Sequence, residues 1–353
     1  MAQYFNLMIK PAGASCNLSC KYCYYADKAG RYSTIMSGAL LERCLREYLE
    51  TTDLPQPCVC WHGGEPLLAG IDFYRRALDI ESRYCDGKTV LNTIQTNGTL
   101  INRNWSHFFA DNGFLVGISI DGPQDIHDRN RLNHNGDGSF NAVMSALDSL
   151  KEAGADYNTL SVVHNASEGR GAEIYRFLRD EAGSKYMQFI PVEGHPLNAK
   201  GYGQFLCEIF DCWAHGDIGK IFVQNFDATL ARWCNCTPAL CSMSEYCGEN
   251  LSVECNGDVY ACDHVTDFGH RLGNIATESL SSLYNDNCRL RFLKDKTQNL
   301  SVECRNCQWL QLCYGGCPAQ RTSEGQSRLC DGLKTYFAYT AAAMQRMKAA
   351  IMG

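Results

Sequence analysis

The chain has 353 residues, 45% hydrophobic and 20% charged, which excludes a disordered segment and describes a globular protein of one large or two smaller domains. A net charge of −7 with no long basic run argues against a nucleic-acid partner. The opening run MAQYFNLMIKPAG lacks the charged start and apolar core of a signal peptide, and no apolar stretch reaches the roughly 18 residues of a bilayer span. A soluble, cytoplasmic protein with no membrane partner is expected, and in that compartment its 21 cysteines serve metals rather than disulfides. A secreted disulfide scaffold would be much shorter.

In chain order, strands are expected at 4–9, 58–62, 90–95, 114–120, 160–163 and 187–191. Amphipathic helices are expected between them at 37–50, 71–84, 103–112, 139–153 and 169–182. In the stretch 139–153, Phe140, Val143, Leu147 and Leu150 recur on one face. Strands alternating with helices imply βαβ units and a parallel sheet. The expected fold class is α/β, a partial (β/α)6 barrel resembling a TIM barrel, with its site at the C-terminal strand ends. Two further helices are expected at 203–214 and 222–233. After Trp233 cysteines crowd and long periodic runs thin out. A boundary near 233 is expected, between a domain at 1–233 and a small cysteine-rich domain at 234–353. In the latter, 251–262 reads as a hairpin turning at Asn256-Gly257, and a closing helix spans about 332–350.

Four constellations carry chemistry. Cys16, Cys20 and Cys23 follow the first strand as C-x3-C-x2-C. An iron–sulfur cube normally takes four thiolates. Three leave one iron open to bind and activate a small molecule, as open metal sites do. A structural zinc would need a fourth ligand, and no nearby Cys or His offers one. Gly63-Gly64-Glu65-Pro66 ends the second strand; alone it reads as a turn. Ser119-Ile120-Asp121-Gly122-Pro123, followed by His127-Asp128-Arg129-Asn130-Arg131, ends the fourth. Last comes Cys304, Cys307, Cys313 and Cys317, spaced C-x2-C-x5-C-x3-C, with Cys241, Cys247 and Cys262 upstream and Cys330 beyond. Eight cysteines in this order are too many for one zinc.

Together these motifs resemble the radical S-adenosylmethionine (radical SAM) family, whose signature is C-x3-C-x2-C with an aromatic before the last cysteine, here Tyr22. The resemblance implies that Gly63, Gly64 and Glu65 meet the cofactor's amino group. Close backbone approach suits the glycines, and a carboxylate suits an ammonium. It also implies that Ser119 and Arg131 meet the ribose or carboxylate, Arg131 through a guanidinium fork; Arg129 is the weaker match. The C-terminal array resembles the SPASM extension. By that resemblance Cys241, Cys247, Cys262 and Cys317 hold one auxiliary [4Fe–4S] cluster and Cys304, Cys307, Cys313 and Cys330 a second.

Within the superfamily the chain resembles the anaerobic sulfatase-maturating enzymes along nearly its whole length, from WHGGEPLL at 61–68 through QTNGTL at 95–100 and QFIP at 188–191 to NGDVYACDH at 256–264. The connection between Pro191 and Gly201 is shorter than expected for that family. The resemblance implies oxidation of a Cys or Ser in a sulfatase Cys/Ser-x-Pro-x-Arg segment to Cα-formylglycine. It implies three [4Fe–4S] clusters, S-adenosylmethionine, an electron donor such as flavodoxin or ferredoxin, and a monomer. Another SPASM maturase, crosslinking or epimerising a ribosomal peptide, is the alternative.

Asp263, after Cys262, is the expected base, its pKa raised by burial beside an anionic cluster. Tyr24, His62 and Asn97 are expected to line the substrate or cofactor, as are Asn165 and Gln188 on weaker grounds. Ten cysteines have no assigned role. Among them Cys255, Cys234 and Cys236 compete most with the proposed ligands.

Overall fold

A computed structural model describes residues 3–28, 30–247 and 250–353. Its ten strands are β1 (Asn6–Ile9), β2 (Cys58–Trp61), β3 (Leu91–Thr96), β4 (Leu115–Ser119), β5 (Tyr157–Val163), β6 (Tyr186–Pro191), β7 (Phe222–Val223), β8 (Asn250–Val253), β9 (Asp258–Tyr260) and β10 (Arg271–Asn274). The chain forms two compact units that interleave in sequence. One comprises Met1–Ser119, Arg131–Tyr157 and Gly248–Leu293; the other comprises Ile120–Asn130, Asn158–Cys247 and Lys294–Gly353.

In the first unit β1 is central. It pairs in parallel with β2 on one side (Leu7 opposite Val59) and with β8 on the other (Leu7 opposite Leu251). Strands β2, β3 and β4 continue the parallel ladder. Leu7, Ile9, Val59, Trp61, Leu251 and Val253 are all fully buried. This is the inward half of the strand alternation, and it pins the register. Each crossover from β1 to β4 includes a helix, and two of the three start at a capping side chain. Ser37 caps the helix Gly38–Thr51 by accepting from the Leu40 amide at 3.2 Å, and Asn102 caps Arg103–Asp111, as short polar side chains do for orphan N–H groups. The hairpin expected at 251–262 is present as β8 and β9, antiparallel, with Gly257 at φ +92° in its turn. Its first strand joins the N-terminal sheet, so the change of texture after Trp233 is not where the chain leaves that unit.

In the second unit β5, β6 and β7 are parallel. The closing helix, Cys330–Met352, packs on the helix Ala199–Ala214. That helix starts four residues earlier than periodicity suggests, because Asn198 caps it by accepting from the Lys200 amide at 3.2 Å. A helix was expected over 222–233; its first two residues instead form β7 and the helix runs Gln224–Trp233, while the helix Gln124–Asn130 and β10 had no sequence expectation. Among the described residues no helix is long and apolar enough to cross a membrane.

Candidate active site and cysteine-lined cavity

The loop carrying Cys16, Cys20 and Cys23 is fixed by backbone bonds on two sides. Gly64 N–H donates to the Gly13 carbonyl and Glu65 N–H to the Ser15 carbonyl, both at 2.8 Å. Ser19 N–H donates to the Leu132 carbonyl at 2.7 Å, and His134 Nε2 lies 3.0 Å from the Cys16 carbonyl. A Cβ on Gly64 would strike the Ser15 carbonyl oxygen, and Gly63 sits at φ +116°. Both glycines are therefore demanded by close chain approach and by a left-handed backbone.

Cys16 and Cys20 are half-buried and Cys23 is exposed. The Cys16 sulfur accepts from the Leu18 amide at 3.4 Å and from Asn97 Nδ2 at 3.6 Å. Burial pushes its thiol up to about 12, so the thiolate forms when a cation arrives to take the proton's place. Asn97 also donates to Asn17 Oδ1 at 2.9 Å and accepts from Thr99 Oγ1 at 2.7 Å. Sequence reasoning singled out Asn97 but missed Asn17 and Thr99. Both fall inside motifs, CNLSC and QTNGTL, where a polar residue beside an invariable-looking one was the available signal.

Glu65 departs from expectation. It was to meet an ammonium directly, yet its side chain is fully buried. Its carboxylate accepts from Leu67 N at 3.0 Å, Thr96 Oγ1 at 2.7 Å and Asn97 N at 2.8 Å. It caps the short helix Pro66–Ala69 and locks the end of β3 to the glycine turn. Burial raises it to about 7 despite those three donors.

Ser119, at the end of β4, accepts from Gln95 Nε2 at 3.2 Å. The Arg131 guanidinium lies 5.5 Å from the Tyr22 ring centroid, which brings together two residues the motif reading paired with one cofactor. Asp121 instead serves its own strand end: its buried carboxylate accepts from Val162 N at 3.0 Å. Asn165 is exposed and Gln188 half-buried in the second unit.

Asp263 accepts from Tyr24 Oη at 3.1 Å, and Tyr24 stacks on His264 with ring centroids 5.3 Å apart. Its pKa runs opposite to expectation. Burial pushes it up, but His264, Lys10, His62 and the Tyr24 hydroxyl outweigh that and hold it down at about 2. The reading from sequence counted an anionic neighbour and missed these positive groups and the Tyr24 hydroxyl. His62 Nδ1 accepts from Gly63 N–H at 2.6 Å, and burial, only partly offset by Asp263, lowers it to about 4. It is neutral at pH 7 and carries its proton on Nε2. Beneath lies an unpredicted group. Lys10 and Glu254, both fully buried, pair at 3.1 Å, with Tyr25 Oη on the same carboxylate and its ring 4.0 Å from Lys10 Nζ. The partners are 244 residues apart, so no local pattern could announce them.

In the second unit Cys304, Cys307, Cys313 and Cys330 line one cavity, together with Trp309, Leu310, Leu333, Phe337 and the polar Gln326 and Lys334. Cys241, Cys247 and Cys317 gather separately, all within electrostatic range of Lys296. Cys262 belongs to the first unit. No disulfide joins the described cysteines. Cys255 is a core thiol beside Thr34, with a sulfur–oxygen distance of 3.7 Å. Among the described residues no three His, Cys, Asp or Glu side chains converge on a single-ion site. Four thiols around a cavity instead suit a multi-iron cube, whose corners stand farther apart than the ligands of one zinc. That quartet therefore fits a cluster.

These features define an iron–sulfur enzyme of the radical SAM class. The family model of the Radical SAM superfamily matches residues 11–178, and that of the SPASM iron–sulfur cluster-binding domain matches 241–308. A serine-type anaerobic sulfatase-maturating enzyme of Bacteroides thetaiotaomicron is 38% identical over 98% of this chain and 92% of its own length. A cysteine-type enzyme of Clostridium novyi is 35% identical over 94% of both. The solved structure of native anSMEcpe with bound AdoMet and Kp18Cys peptide superposes with a TM-score of 0.91 at 30% identity, covering 98% of this chain and 99% of that one. The chain belongs to the family of anaerobic sulfatase-maturating enzymes. It is a radical SAM oxidoreductase whose cofactors are [4Fe–4S] clusters and S-adenosylmethionine.

Proposed function

We propose that this chain oxidises a Cys or Ser in a Cys/Ser-x-Pro-x-Arg segment of an unfolded sulfatase to Cα-formylglycine. The observation that carries the reading is the Asp263 carboxylate. It follows Cys262 and is held at 3.1 Å by Tyr24, the residue after the last cysteine of the opening motif. One side chain thus ties the radical-generating loop to a proton acceptor.

In this reading Cys16, Cys20 and Cys23 hold the radical-generating cluster. Cys241, Cys247, Cys262 and Cys317 hold auxiliary cluster I; Cys304, Cys307, Cys313 and Cys330 hold auxiliary cluster II. When bound, the clusters and S-adenosylmethionine supply a 5′-deoxyadenosyl radical that takes one hydrogen atom from the substrate Cβ, and a sink for the one electron left over. The chain's own residues do the rest. Tyr22, Gly63, Gly64, Ser119 and Arg131 bind and orient the cofactor, while Glu65 holds the glycine turn and Asn97 in place. Asp263 receives the hydroxyl or thiol proton. Its low pKa keeps it ionised at neutral pH, and a proton beside a carbon radical is acidic enough for a weak base to take. His62, neutral, offers Nε2–H as a donor to the substrate heteroatom.

In this reading residues 1–233 carry the radical SAM chemistry and 234–353 the auxiliary clusters, a division of function along the chain that does not follow the two compact units. The protein works in the cytoplasm as a monomer and takes its electron from a flavodoxin or ferredoxin. The test is incubation of the reconstituted protein, a reductant and S-adenosylmethionine with peptides carrying Cys-x-Pro-x-Arg or Ser-x-Pro-x-Arg. Formylglycine lowers peptide mass by about 18 Da from Cys and by about 2 Da from Ser, the balance of the cofactor-driven oxidation. Formation of 5′-deoxyadenosine with an unchanged or crosslinked peptide would replace this reading with that of another peptide-modifying maturase.

A further inference from the structure

Two cations in the second unit, one fully buried and one half-buried, lack the carboxylate partner that a charge removed from water normally requires. Lys296 is fully buried. Its ammonium donates to the carbonyls of Cys241 at 2.6 Å and Ser242 at 3.1 Å. Arg321 is half-buried. It donates to the carbonyls of Lys296 at 2.7 Å, Tyr314 at 2.8 Å, Gly315 at 3.0 Å and Gly316 at 3.3 Å. Among the described residues no carboxylate forms an ion pair with either. Lys10 makes the contrast: it is equally buried, and Glu254 stands 3.1 Å away.

Beyond the carbonyls that bind them, the charged or ionisable groups acting on Lys296 and Arg321 are mainly cysteines. Lys296 lies within electrostatic range of Cys247, Cys241 and Cys317. Arg321 reaches members of both sets, Cys304 and Cys313 of one and Cys247 and Cys317 of the other. The guanidinium also organises the turn that separates them. Tyr314, Gly315 and Gly316 are three successive left-handed residues, at φ +43°, +73° and +69°. Arg321 accepts the strain of that turn by bonding all three of its carbonyls. The turn carries the chain from Cys313 to Cys317, the two ligands that the proposed assignment sends to different clusters.

We propose that Lys296 and Arg321 form a buried cationic wedge between the two auxiliary cluster sites, Lys296 acting on the site of Cys241, Cys247 and Cys317 and Arg321 on both, and that its charge raises their reduction potentials. A cube held by four thiolates is a net anion, and adding an electron makes it more so. A fixed cation in a medium of low dielectric favours the reduced form. The two clusters thereby become better acceptors for the electron that leaves the substrate after its hydrogen atom and proton are gone. The proposal rests on the ligand assignment given above. Lys296 and Arg321 are positioning residues for charge, not groups that touch the peptide.

The test is a redox titration of anaerobically reconstituted protein, followed by electron paramagnetic resonance, for the parent, Lys296→Met and Lys296→Arg. Lys296→Met should lower the potential of auxiliary cluster I by about 59 mV, a tenfold change in a one-electron equilibrium, and move auxiliary cluster II less. Lys296→Arg, which keeps the charge, should stay near the parent. Equal potentials in iron-replete parent and Lys296→Met protein would overturn the proposal. If Lys296→Met loses auxiliary iron, retention of iron and potential in Lys296→Arg supports the role of charge; loss in both overturns it in favour of packing. The titration needs neither peptide nor turnover. Absence of formylglycine would therefore leave the proposal standing, whereas a parent protein with only about four irons would remove the ligand assignment and the proposal together.

Discussion

In the loop 16–23 the thiols meet amides and solvent; around Cys304, Cys307, Cys313 and Cys330 rings and aliphatic side chains join a few polar groups such as Gln326 and Lys334. Cys23 is exposed and Cys16 is held by Asn97, while Trp309, Leu310, Leu333 and Phe337 close over the quartet. The number of thiols differs in the same sense, three against four. A polar, reachable shell around an under-coordinated cluster suits docking and cleavage of a sulfonium cofactor. In the proposed assignment the second set gives one cluster four thiolates, which leaves electron transfer as its chemistry. The two regions share an element and differ in what the protein lets near it.

The sharpest way to break this comparison is to remove one thiol from each region. Cys16→Ala should lower iron from about twelve per chain to about eight and abolish 5′-deoxyadenosine formation. Cys307→Ala should lose the same amount of iron, yet keep 5′-deoxyadenosine formation while formylglycine yield collapses. If Cys307→Ala also stops cofactor cleavage, the division of labour is wrong. Asp263→Asn should leave iron content and 5′-deoxyadenosine intact and reduce formylglycine by about 10²–10⁴-fold, the range for a lost general base; mass spectrometry of the peptide reads it.

A smaller effect separates positioning from contact at Glu65. Burial raises its pKa from 4.5 to about 7, so between those values the folded state keeps a proton that the unfolded chain releases. Stability therefore falls as pH rises from 4.5 to 7. Glu65→Gln should remove about 3 kcal/mol of that decline, seen as a flatter dependence of the urea midpoint on pH. An unchanged slope would mean that the carboxylate is not held as the hydrogen bonds describe. Asn97→Ala should cost least, about 1 kcal/mol for each of its side-chain bonds to Asn17 and Thr99, measured in the same unfolding experiment.

The strand–helix alternation was legible because each element carries its own local signal. Strand-like apolar runs alternating with period-3.6 stretches placed β1 to β6 within a few residues. The hairpin at Asn256-Gly257 was equally plain, since its turn chemistry lies in two adjacent residues. Its partner was not: β8 pairs with β1 across some 244 positions, as Asn6 opposite Asn250 shows, and nothing in either segment names the other. The opening cysteine motif could be read because its spacing sits within one short loop.

The electrostatics could not be read that way. The chain's sequence by itself determined an α/β catalyst with three cysteines for one task and a later array for another, since motif spacing and periodicity are properties of neighbours along the chain. Tertiary structure alone decided that Glu65 turns inward, that Asp263 sits low among His264, Lys10 and His62, and that Lys296 lies among thiols instead of carboxylates. Charge and burial are fixed by whatever segments meet in space, and those segments are far apart in sequence.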